Sequence, residues 1–365
     1  MQLSEKIEES DLQVLRHARL PEKVGFGDIM LPIMTRARFR DGQWQTHELL
    51  PYQALSISPS CKGLHYGQVI FEGLKAYANL QSGGAIVFRM KDHWARMNQS
   101  AQHLLMPSIP QALFEESIKA LVSRASTYIP AKKGDALYIR PFMFSSASGL
   151  GLSNNTDFDL YFIASPSEAY FTEPLDVLIE RDQHRAFKGG TGMIKMAGNY
   201  GQIFASGQRA QAAGCGLSLW LDAETGRYVD EFSAMNFFAL VDGVLKTPPL
   251  KGTILPGVTR ASVIELARQQ SVDGKSLEVQ EVDIEIDALL ANIESGRCTE
   301  VFASGTGATI TPIQHLKEAD GRSYRLPTWE LSSAIKAQLQ SIHHGITAPE
   351  TAGWCTAISF IGSWI

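Results

Sequence analysis

Cysteine is scarce in this sequence, and neither cysteine nor histidine forms a recognisable metal or disulfide pattern. The four cysteines, Cys61, Cys215, Cys298 and Cys355, lie far apart and include no CxxC pair. In a chain of 365 residues this spacing favours reduced thiols over a disulfide framework. The nine histidines show no HExxH motif and no Cys/His zinc spacing, so we predict no metal site.

Long apolar runs and an excess of positive charge are also missing. No stretch approaches the roughly 20 apolar residues of a membrane-spanning helix. The formal net charge is -5 and no Lys/Arg-rich run occurs, which argues against nucleic acid as a partner. The first residues, MQLSEKIEESDLQ, are charged where a signal peptide needs an apolar segment, so we expect a cytoplasmic protein.

The length and the mixture of local patterns predict an α/β (α+β) protein with two domains. A single hydrophobic core rarely grows beyond roughly 250–300 residues, so 365 residues favour two cores. We place a smaller N-terminal domain at 1–169, a connection at 170–185 and a larger C-terminal domain at 186–365.

Periodicity and turn residues predict the elements of these domains. Lys91–Met106 shows apolar residues at helical spacing, and a second helix is expected from Tyr200 to Ala213, stopped by Gly214. A third helix starts near Thr259. Short apolar segments predict strands at 85–89, 136–144, 158–164, 217–221, 228–232, 236–241 and 244–247, with Asp242-Gly243 as the hairpin turn between the last two. The apolar end, TAISFIGSWI, is expected to pack at an interface or against the body of the protein.

One combination of residues points to chemistry. Lys195 and Tyr200 lie together in the segment KMAGNY, and Glu231 follows in YVDEFSAMNFF. A lysine can form a Schiff base with pyridoxal phosphate, a tyrosine can hydrogen-bond its ring hydroxyl, and a carboxylate can keep its ring nitrogen protonated. These three side-chain types are the ones that this cofactor needs from a protein.

The segments around these residues occur in a characteristic order. They are HYGQVIFEGLKAY (65–77), VFR (87–89), LYIRP (137–141), GGTGMIKMAGNY (189–200), YVDEFSAMNFF (228–238), LPGVTR (255–260) and FASGTGATITPI (302–313). From about residue 26 to about residue 327 the chain closely resembles the branched-chain amino acid aminotransferases, which are fold-type IV pyridoxal phosphate enzymes. The resemblance implies two domains similar to those of D-amino acid aminotransferase, with the cofactor in the cleft between them.

The resemblance also assigns cofactor-binding roles. It makes Lys195 the Schiff-base lysine and proton carrier, Glu231 the partner of the pyridine nitrogen and Arg89 a phosphate-binding residue. Alternation along the strand would point Glu231 and its neighbour Asp230 to opposite faces, one toward the cofactor and one toward solvent. The remaining cofactor residues are Tyr200, the helix start at Gly257, Val258 and Thr259, where N–H groups favour an anion, and Thr306. Thr259 is also a candidate N-cap.

A further set of residues matches the family's substrate pocket. An aromatic wall suits a branched aliphatic side chain, and Arg140 could accept the distal carboxylate of glutamate. Thr306 and Gly307 would hold the substrate carboxylate or lie close to the phosphate. The set comprises Phe26, Tyr66, Phe71, Lys75, Tyr138, Arg140, Tyr170, Ala234, Thr306 and Gly307. The chain departs from the family at Ser233-Ala234, where glycine is common, and at Ala308 and Thr311, where some relatives carry a redox CxxC.

The implied reaction is transfer of the amino group from L-leucine, L-isoleucine or L-valine to 2-oxoglutarate, giving a branched 2-oxo acid and L-glutamate. The resemblance also implies a homodimer. An aminotransferase for an unusual amino acid in a specialised pathway, and a non-catalytic binding protein of the same fold, are the alternatives. A D-amino acid aminotransferase or aminodeoxychorismate lyase would lack the FEGLKA and YxRP segments. The absence of GxGxxG and GxxxxGK[ST] disfavours a Rossmann dehydrogenase or a P-loop enzyme.

Overall fold

The computed structural model describes residues 3–153, 155–168, 171, 173–272, 274–349 and 351–361. The helices are α1 (Glu9–His17), α2 (Lys62–Tyr66), α3 (Met90–His103), α4 (Gln111–Val122), α5 (Gly201–Ala212), α6 (Val258–Ala267), α7 (Ile286–Glu294) and α8 (Glu330–His343). Short 3-10 turns occur at Ser126–Tyr128 and Ala197–Tyr200. Within these described ranges no helix combines the length and hydrophobicity that a membrane crossing requires.

The strands are short and distributed along the whole chain. They are β1 (Ser4–Glu5), β2 (Ile33–Arg40), β3 (Gln43–Trp44), β4 (Glu48–Pro51), β5 (Val69–Phe71), β6 (Leu74–Ala78), β7 (Ala85–Phe88), β8 (Ala136–Ser145), β9 (Phe158–Ser167), β10 (Leu175–Glu180), β11 (Leu217–Leu221), β12 (Val229–Phe232), β13 (Met235–Val241), β14 (Val244–Thr247), β15 (Ser271–Val272), β16 (Lys275–Ser276), β17 (Glu278–Glu281), β18 (Cys298–Gly305), β19 (Thr309–Lys317), β20 (Ser323–Arg325) and β21 (Cys355–Ile358).

The first compact unit contains the described residues of 1–170, 195–197 and 339–365. Its ten-stranded sheet has the order β1-β4-β2-β9-β8-β6-β7-β21, with β3 paired to β2 and β5 paired to β8. The period of two in β8 turns Leu137, Ile139 and Met143 into the core and leaves Tyr138 and Arg140 on the opposite face. Helices α3 and α4 add Met97, Leu113 and other apolar side chains to that core.

The second compact unit contains the described residues of 171–194 and 198–338. Its nine-stranded sheet has the order β12-β11-β10-β19-β18-β13-β14-β17, with β20 paired to β19. Strand β13 is buried along its whole length, because it lies inside the sheet and both of its faces are covered. Helix α7 adds Ile286, Leu289 and Leu290 to the core of this unit.

The mixed α/β architecture and most of the predicted elements are confirmed. The strands at 217–221 and 244–247 have their predicted bounds, and helix α5 ends before Gly214, which adopts a left-handed conformation with φ of 66°. Asp242 and Gly243 have φ of 52° and 75°, as a type I′ hairpin turn requires. Helix α3 ends at His103, short of the predicted Met106, because Leu105 turns the chain with a φ of 53°.

Two segments differ from their predicted assignments. The middle of the expected connection at 170–185 is the strand β10, whose Val177, Leu178 and Ile179 are buried between β11 and β19. Its apolar side chains outweigh the charged residues that follow it, Arg181 and Asp182. The C-terminal residues from 339 onward belong to the first unit, where β21 pairs with β7. The described part of the apolar end therefore packs against the body of the protein.

A buried ion network joins the end of β5 to α3 in the first unit. The Glu72 side chain is fully buried and receives hydrogen bonds from Arg96 Nε at 2.6 Å and Arg96 Nη2 at 2.8 Å, while His93 Nδ1 lies 2.8 Å from its second oxygen. Burial alone would raise the pKa of Glu72, but Arg96 and His93 outweigh burial and hold that pKa well below its usual range. The network therefore keeps a full negative charge inside the core.

Replacing Arg96 with methionine should leave the buried Glu72 carboxylate without its arginine partner. Because a buried carboxylate without its cation is strongly unfavourable, we expect Arg96→Met to lower the free energy of unfolding by about 3–5 kcal/mol, measured by urea denaturation. The matched control is Arg297→Met, since Arg297 is 60% exposed in its pair with Asp242. That control should change the free energy by no more than about 0.5 kcal/mol. Equal effects of the two variants would contradict the assignment.

Buried histidines make the stability depend on pH. Burial lowers the pKa of His47 from its usual 6.5, and burial together with the nearby Lys75 charge lowers that of His343 well below 6.5. At a pH between the lowered pKa of the folded chain and the usual pKa of about 6.5, these histidines are protonated in the unfolded chain but neutral in the folded chain. The folding stability that is present above about pH 6.5 is therefore lost as the pH falls. We expect the melting temperature to drop between about pH 7.5 and about pH 5.5. His47→Leu should reduce that drop, and an unchanged slope would rule out His47 as a contributor.

Candidate active site

The first unit holds Lys195 by its backbone. The Lys195 N–H donates to Ser100 Oγ on α3 at 2.9 Å, and the Lys195 carbonyl accepts from the Phe71 N–H on β5 at 3.1 Å. The next residue, Met196, forms a bridge with Ile70. Two elements, β5 and α3, therefore fix the Lys195 backbone.

Aromatic and cationic side chains gather around Lys195. Its Nζ lies 4.8 Å from the centre of the Phe71 ring, and Arg140 Cζ lies 4.6 Å from the same ring. Arg140 Nη2 also donates to the Tyr138 hydroxyl at 2.9 Å, and the Tyr138 and Phe26 rings are 4.9 Å apart. We refer to Phe26, Phe71, Tyr138, Arg140 and Lys195 as the aromatic–cationic cluster.

A glycine makes room for this cluster. A Cβ atom at Gly73 would collide with the Tyr138 hydroxyl and ring. Any larger residue at this position would push the Tyr138 ring away and break its hydrogen bond with Arg140. The glycine of FEGLKA thus has a packing role beside the cluster.

Three other predicted substrate residues have different positions. Lys75 lies opposite Tyr138 in the antiparallel ladder of β6 and β8, so both side chains leave the same face of the sheet. Tyr66 is 43% exposed and donates to the Leu150 carbonyl. Tyr170 lies outside the described residues.

Arg89 is the N-cap of α3 and has a left-handed conformation, with φ of 51° and ψ of 41°. Its Nε donates to Asp92 Oδ2 at 2.8 Å, and its Cζ lies 4.9 Å from the centre of the Trp354 ring. Its side chain is only 13% exposed. Asp92 therefore contacts one edge of the predicted phosphate-binding guanidinium, and Trp354 contacts one face.

Glu231 lies on β12 in the second unit and is almost fully buried. Arg185 Nη2 lies 2.9 Å from one carboxylate oxygen, and Asn236 Nδ2 donates to the other at 2.9 Å. Buried carboxylates need such partners. The expectation that the neighbouring Asp230 faces solvent is wrong: Asp230 is 5% exposed and accepts from Thr253 Oγ1 at 3.0 Å. Burial raises the pKa of Asp230.

The N-terminus of α6 has features that favour an anion. The N-cap is Gly257, so the expectation that Thr259 caps the helix is wrong; Thr259 is the second residue of α6. The first N–H groups of a helix have no partner within it, and the first turn of α6 contains no acidic side chain. A Cβ atom at Gly257 would collide with Asn236 Oδ1.

The other predicted residues of this unit lie in turns. Thr306 and Gly307 connect β18 to β19, and Ala234 lies between β12 and β13. The neighbouring Ser233 accepts from the Ser218 N–H at 3.0 Å, a bond that glycine could not provide. Tyr200 ends a 3-10 turn and precedes α5.

Sequence reasoning missed Ser100, Arg185 and Asn236. Ser100 could have been found from the sequence, because the polar residues His93, Arg96 and Ser100 follow one another at spacings of three and four and so share one face of α3. That face is buried in the structure. Arg185 lies in a charged segment interpreted as a connection, and its contact with Glu231 is remote in sequence. Among the described side chains, no group of three His, Cys, Asp or Glu residues could hold a metal ion.

The chain is similar to known proteins along most of its length. Residues 69–316 match the family model of amino-transferase class IV. The chain is 35% identical, over 360 residues, to the probable branched-chain-amino-acid aminotransferase of Staphylococcus aureus (strain N315), a match that covers 96% of this chain and 98% of that protein.

Solved structures give the same result. The branched-chain aminotransferase from Thermoproteus uzoniensis, solved with norvaline, has a TM-score of 0.73 and 26% identity, covering 88% of this chain and 99% of that one. The T.th. branched-chain amino acid aminotransferase, complexed with N-(5'-phosphopyridoxyl)-L-glutamate, has a TM-score of 0.69 and 27% identity, covering 92% and 99%.

Two glycine substitutions should separate the packing role of Gly257 from a general effect on helices. Gly257→Ala must displace Asn236, which holds Glu231, so we expect a loss of about 1–3 kcal/mol in the free energy of unfolding. The control is Gly207→Ala, since Gly207 lies inside α5 with open space around it. That change should be neutral or stabilise by up to about 1 kcal/mol. A tolerated Gly257→Ala would contradict the close approach of Asn236.

Proposed function

Because this chain belongs to the class IV amino-transferases, and within them to the branched-chain-amino-acid aminotransferases, we propose that it transfers the amino group of L-leucine, L-isoleucine or L-valine to 2-oxoglutarate. The products are the branched 2-oxo acid and L-glutamate. The cofactor is pyridoxal 5'-phosphate, which when bound acts as an electron sink for the electrons released at the substrate's Cα.

The observation that carries this proposal is the placement of Lys195 and Arg140 on one aromatic ring. Phe71 lies 4.8 Å from the Lys195 ammonium and 4.6 Å from the Arg140 guanidinium. Phe71, Phe26 and Tyr138 offer an apolar wall for a branched side chain. Arg140 offers a charge for the distal carboxylate of 2-oxoglutarate or glutamate. Such a cluster supports binding of both substrates in turn.

The residues of the second unit suit the cofactor. The N-terminus of α6 combines unpartnered helix N–H groups with the absence of acidic side chains, which favours a phosphate dianion. We assign phosphate binding to Gly257, Val258 and Thr259, together with Arg89. Glu231 would hold the proton of the ring nitrogen, and Arg185 and Asn236 would fix the direction of its carboxylate. Tyr200 would hydrogen-bond the ring hydroxyl.

Lys195 would attach the cofactor covalently and move a proton. We propose that its Nζ would accept the proton from the substrate's Cα. Ser100 and Phe71 hold the Lys195 backbone, so only the side chain has to move between these tasks. Thr306 and Gly307 would bind the substrate carboxylate, and Ala234 would lie in the pocket floor.

We expect a homodimer, as in the family that the sequence resembles. Exposed apolar side chains support an interface, because large apolar groups such as Leu64, Leu150 and Leu152 are 66%, 70% and 84% exposed. The cytoplasmic location stays a prediction from the sequence.

Replacing Lys195 with alanine tests the proposal. We expect Lys195→Ala to lose the visible absorption band of the covalently bound cofactor. Its transamination rate should fall by about 10²–10⁴-fold through loss of proton transfer alone. The matched control is Lys188→Ala, since Lys188 is an exposed lysine in the same glycine-rich segment. It should keep both properties, and a fully active Lys195→Ala enzyme would overturn the assignment.

A further inference from the structure

The C-terminal strand β21 brings Trp354 against Arg89. The Trp354 carbonyl accepts from the Arg89 N–H at 2.6 Å, and the Trp354 ring lies 4.9 Å from Arg89 Cζ. We propose that Trp354 is a positioning residue for Arg89, and that the C-terminal segment thereby sets the affinity for the cofactor's phosphate group. This inference rests on the proposed function, in which Arg89 contacts that phosphate.

Trp354 is itself fixed by its surroundings. It is 3% exposed, and its ring packs edge-on against Phe88 with centroids 5.5 Å apart. Strand β21 pairs with β7 from Cys355 opposite Phe88 to Ile358 opposite Ala85. Its burial, its packing against Phe88 and the pairing of β21 with β7 therefore fix the position of the Trp354 ring.

The far end of β21 is attached just as closely. A Cβ atom at Gly84 would lie only 2.5 Å from the Ile358 carbonyl oxygen, so glycine permits this docking. Beyond the strand, the Ile361 N–H donates to the Ser123 carbonyl at 2.8 Å. The segment that carries Trp354 is held at both ends.

Arg89 needs such support because of its backbone. A left-handed conformation is unfavourable for a residue other than glycine, and Arg89 has a φ of 51°. The hydrogen bond to the Trp354 carbonyl holds that backbone, Asp92 engages the Nε edge of the side chain, and the Trp354 ring covers one face of the guanidinium. Two parallel hydrogen bonds to a phosphate require a guanidinium of fixed plane. The cation–π contact with the Trp354 ring holds the Arg89 guanidinium in one plane.

A positioning role predicts a loss that is specific to the phosphate group. Pyridoxal lacks the phosphate but can use the same lysine, so its affinity reports on the fold and on Lys195. The ratio of the dissociation constants of pyridoxal and pyridoxal 5'-phosphate therefore reports on the phosphate-binding residues alone, and a change in that ratio on substitution of Trp354 is assigned to Arg89, the phosphate-binding residue that Trp354 contacts. A merely structural role of Trp354 would change both constants together.

The test measures both constants by equilibrium dialysis on the full chain, freed of cofactor, in the wild type, Trp354→Phe and Trp354→Leu. Phenylalanine keeps an aromatic face, whereas leucine keeps only apolar bulk. We expect Trp354→Leu to weaken pyridoxal 5'-phosphate about tenfold, equivalent to about 1.4 kcal/mol, while pyridoxal changes less than about twofold. Trp354→Phe should give an intermediate ratio.

The control is Ile358→Ala, which removes a buried side chain from β21, the strand that follows Trp354, and leaves the Trp354 ring in place. It should leave the ratio of the two constants unchanged even if it lowers stability. Equal weakening of both compounds by Trp354→Leu, or no weakening of either, would overturn the inference. If the wild type bound no pyridoxal 5'-phosphate, the proposed function would fail together with it. If Trp354→Leu does not fold, the ratio in Trp354→Phe decides.

Discussion

The buried contact between Glu72 and Arg96 is the constraint on which the aromatic–cationic cluster of the first unit depends. Removing either partner would cost a large folding free energy, since the remaining charge would be buried away from water without its partner. Glu72 lies between Phe71 and Gly73 in the chain. The network therefore fixes both the Phe71 ring next to Lys195 and the space at Gly73 that the Tyr138 side chain occupies. Helix α3, which carries Arg96, also carries Ser100, the acceptor for the Lys195 N–H. One helix therefore positions both the lysine and the aromatic wall.

In the second unit a different buried carboxylate organises the residues proposed to bind the cofactor. Glu231 depends on Arg185 and Asn236, and Asn236 can approach only because residue 257 is glycine. That glycine is also the N-cap of α6, whose first turn suits a phosphate. Gly257 thus connects the segment LPGVTR, proposed to bind the phosphate, to Asn236 of YVDEFSAMNFF, which holds Glu231, the proposed partner of the ring nitrogen.

Elements with a local cause could be predicted from the sequence, and elements with a distant cause could not. Asp242-Gly243 and Gly214 determine their turns by their own conformational preferences, so those boundaries were found. Strand β10 was missed because its apolar segment is short and lies next to charged residues. Among the site residues, motif positions such as Lys195 and Arg140 were named in advance. Arg185 and Trp354 were not, since their roles come from contacts with residues far away in the chain.

The visible absorption spectrum of the purified protein with pyridoxal 5'-phosphate tests the central claim most directly. If the chain is a branched-chain aminotransferase, the cofactor band should bleach when L-leucine is added and return when 2-oxoglutarate follows. Those two changes would demonstrate both half-reactions on one sample. A band that L-leucine leaves unchanged would contradict the proposed substrate, and the absence of any band would contradict the cofactor assignment itself.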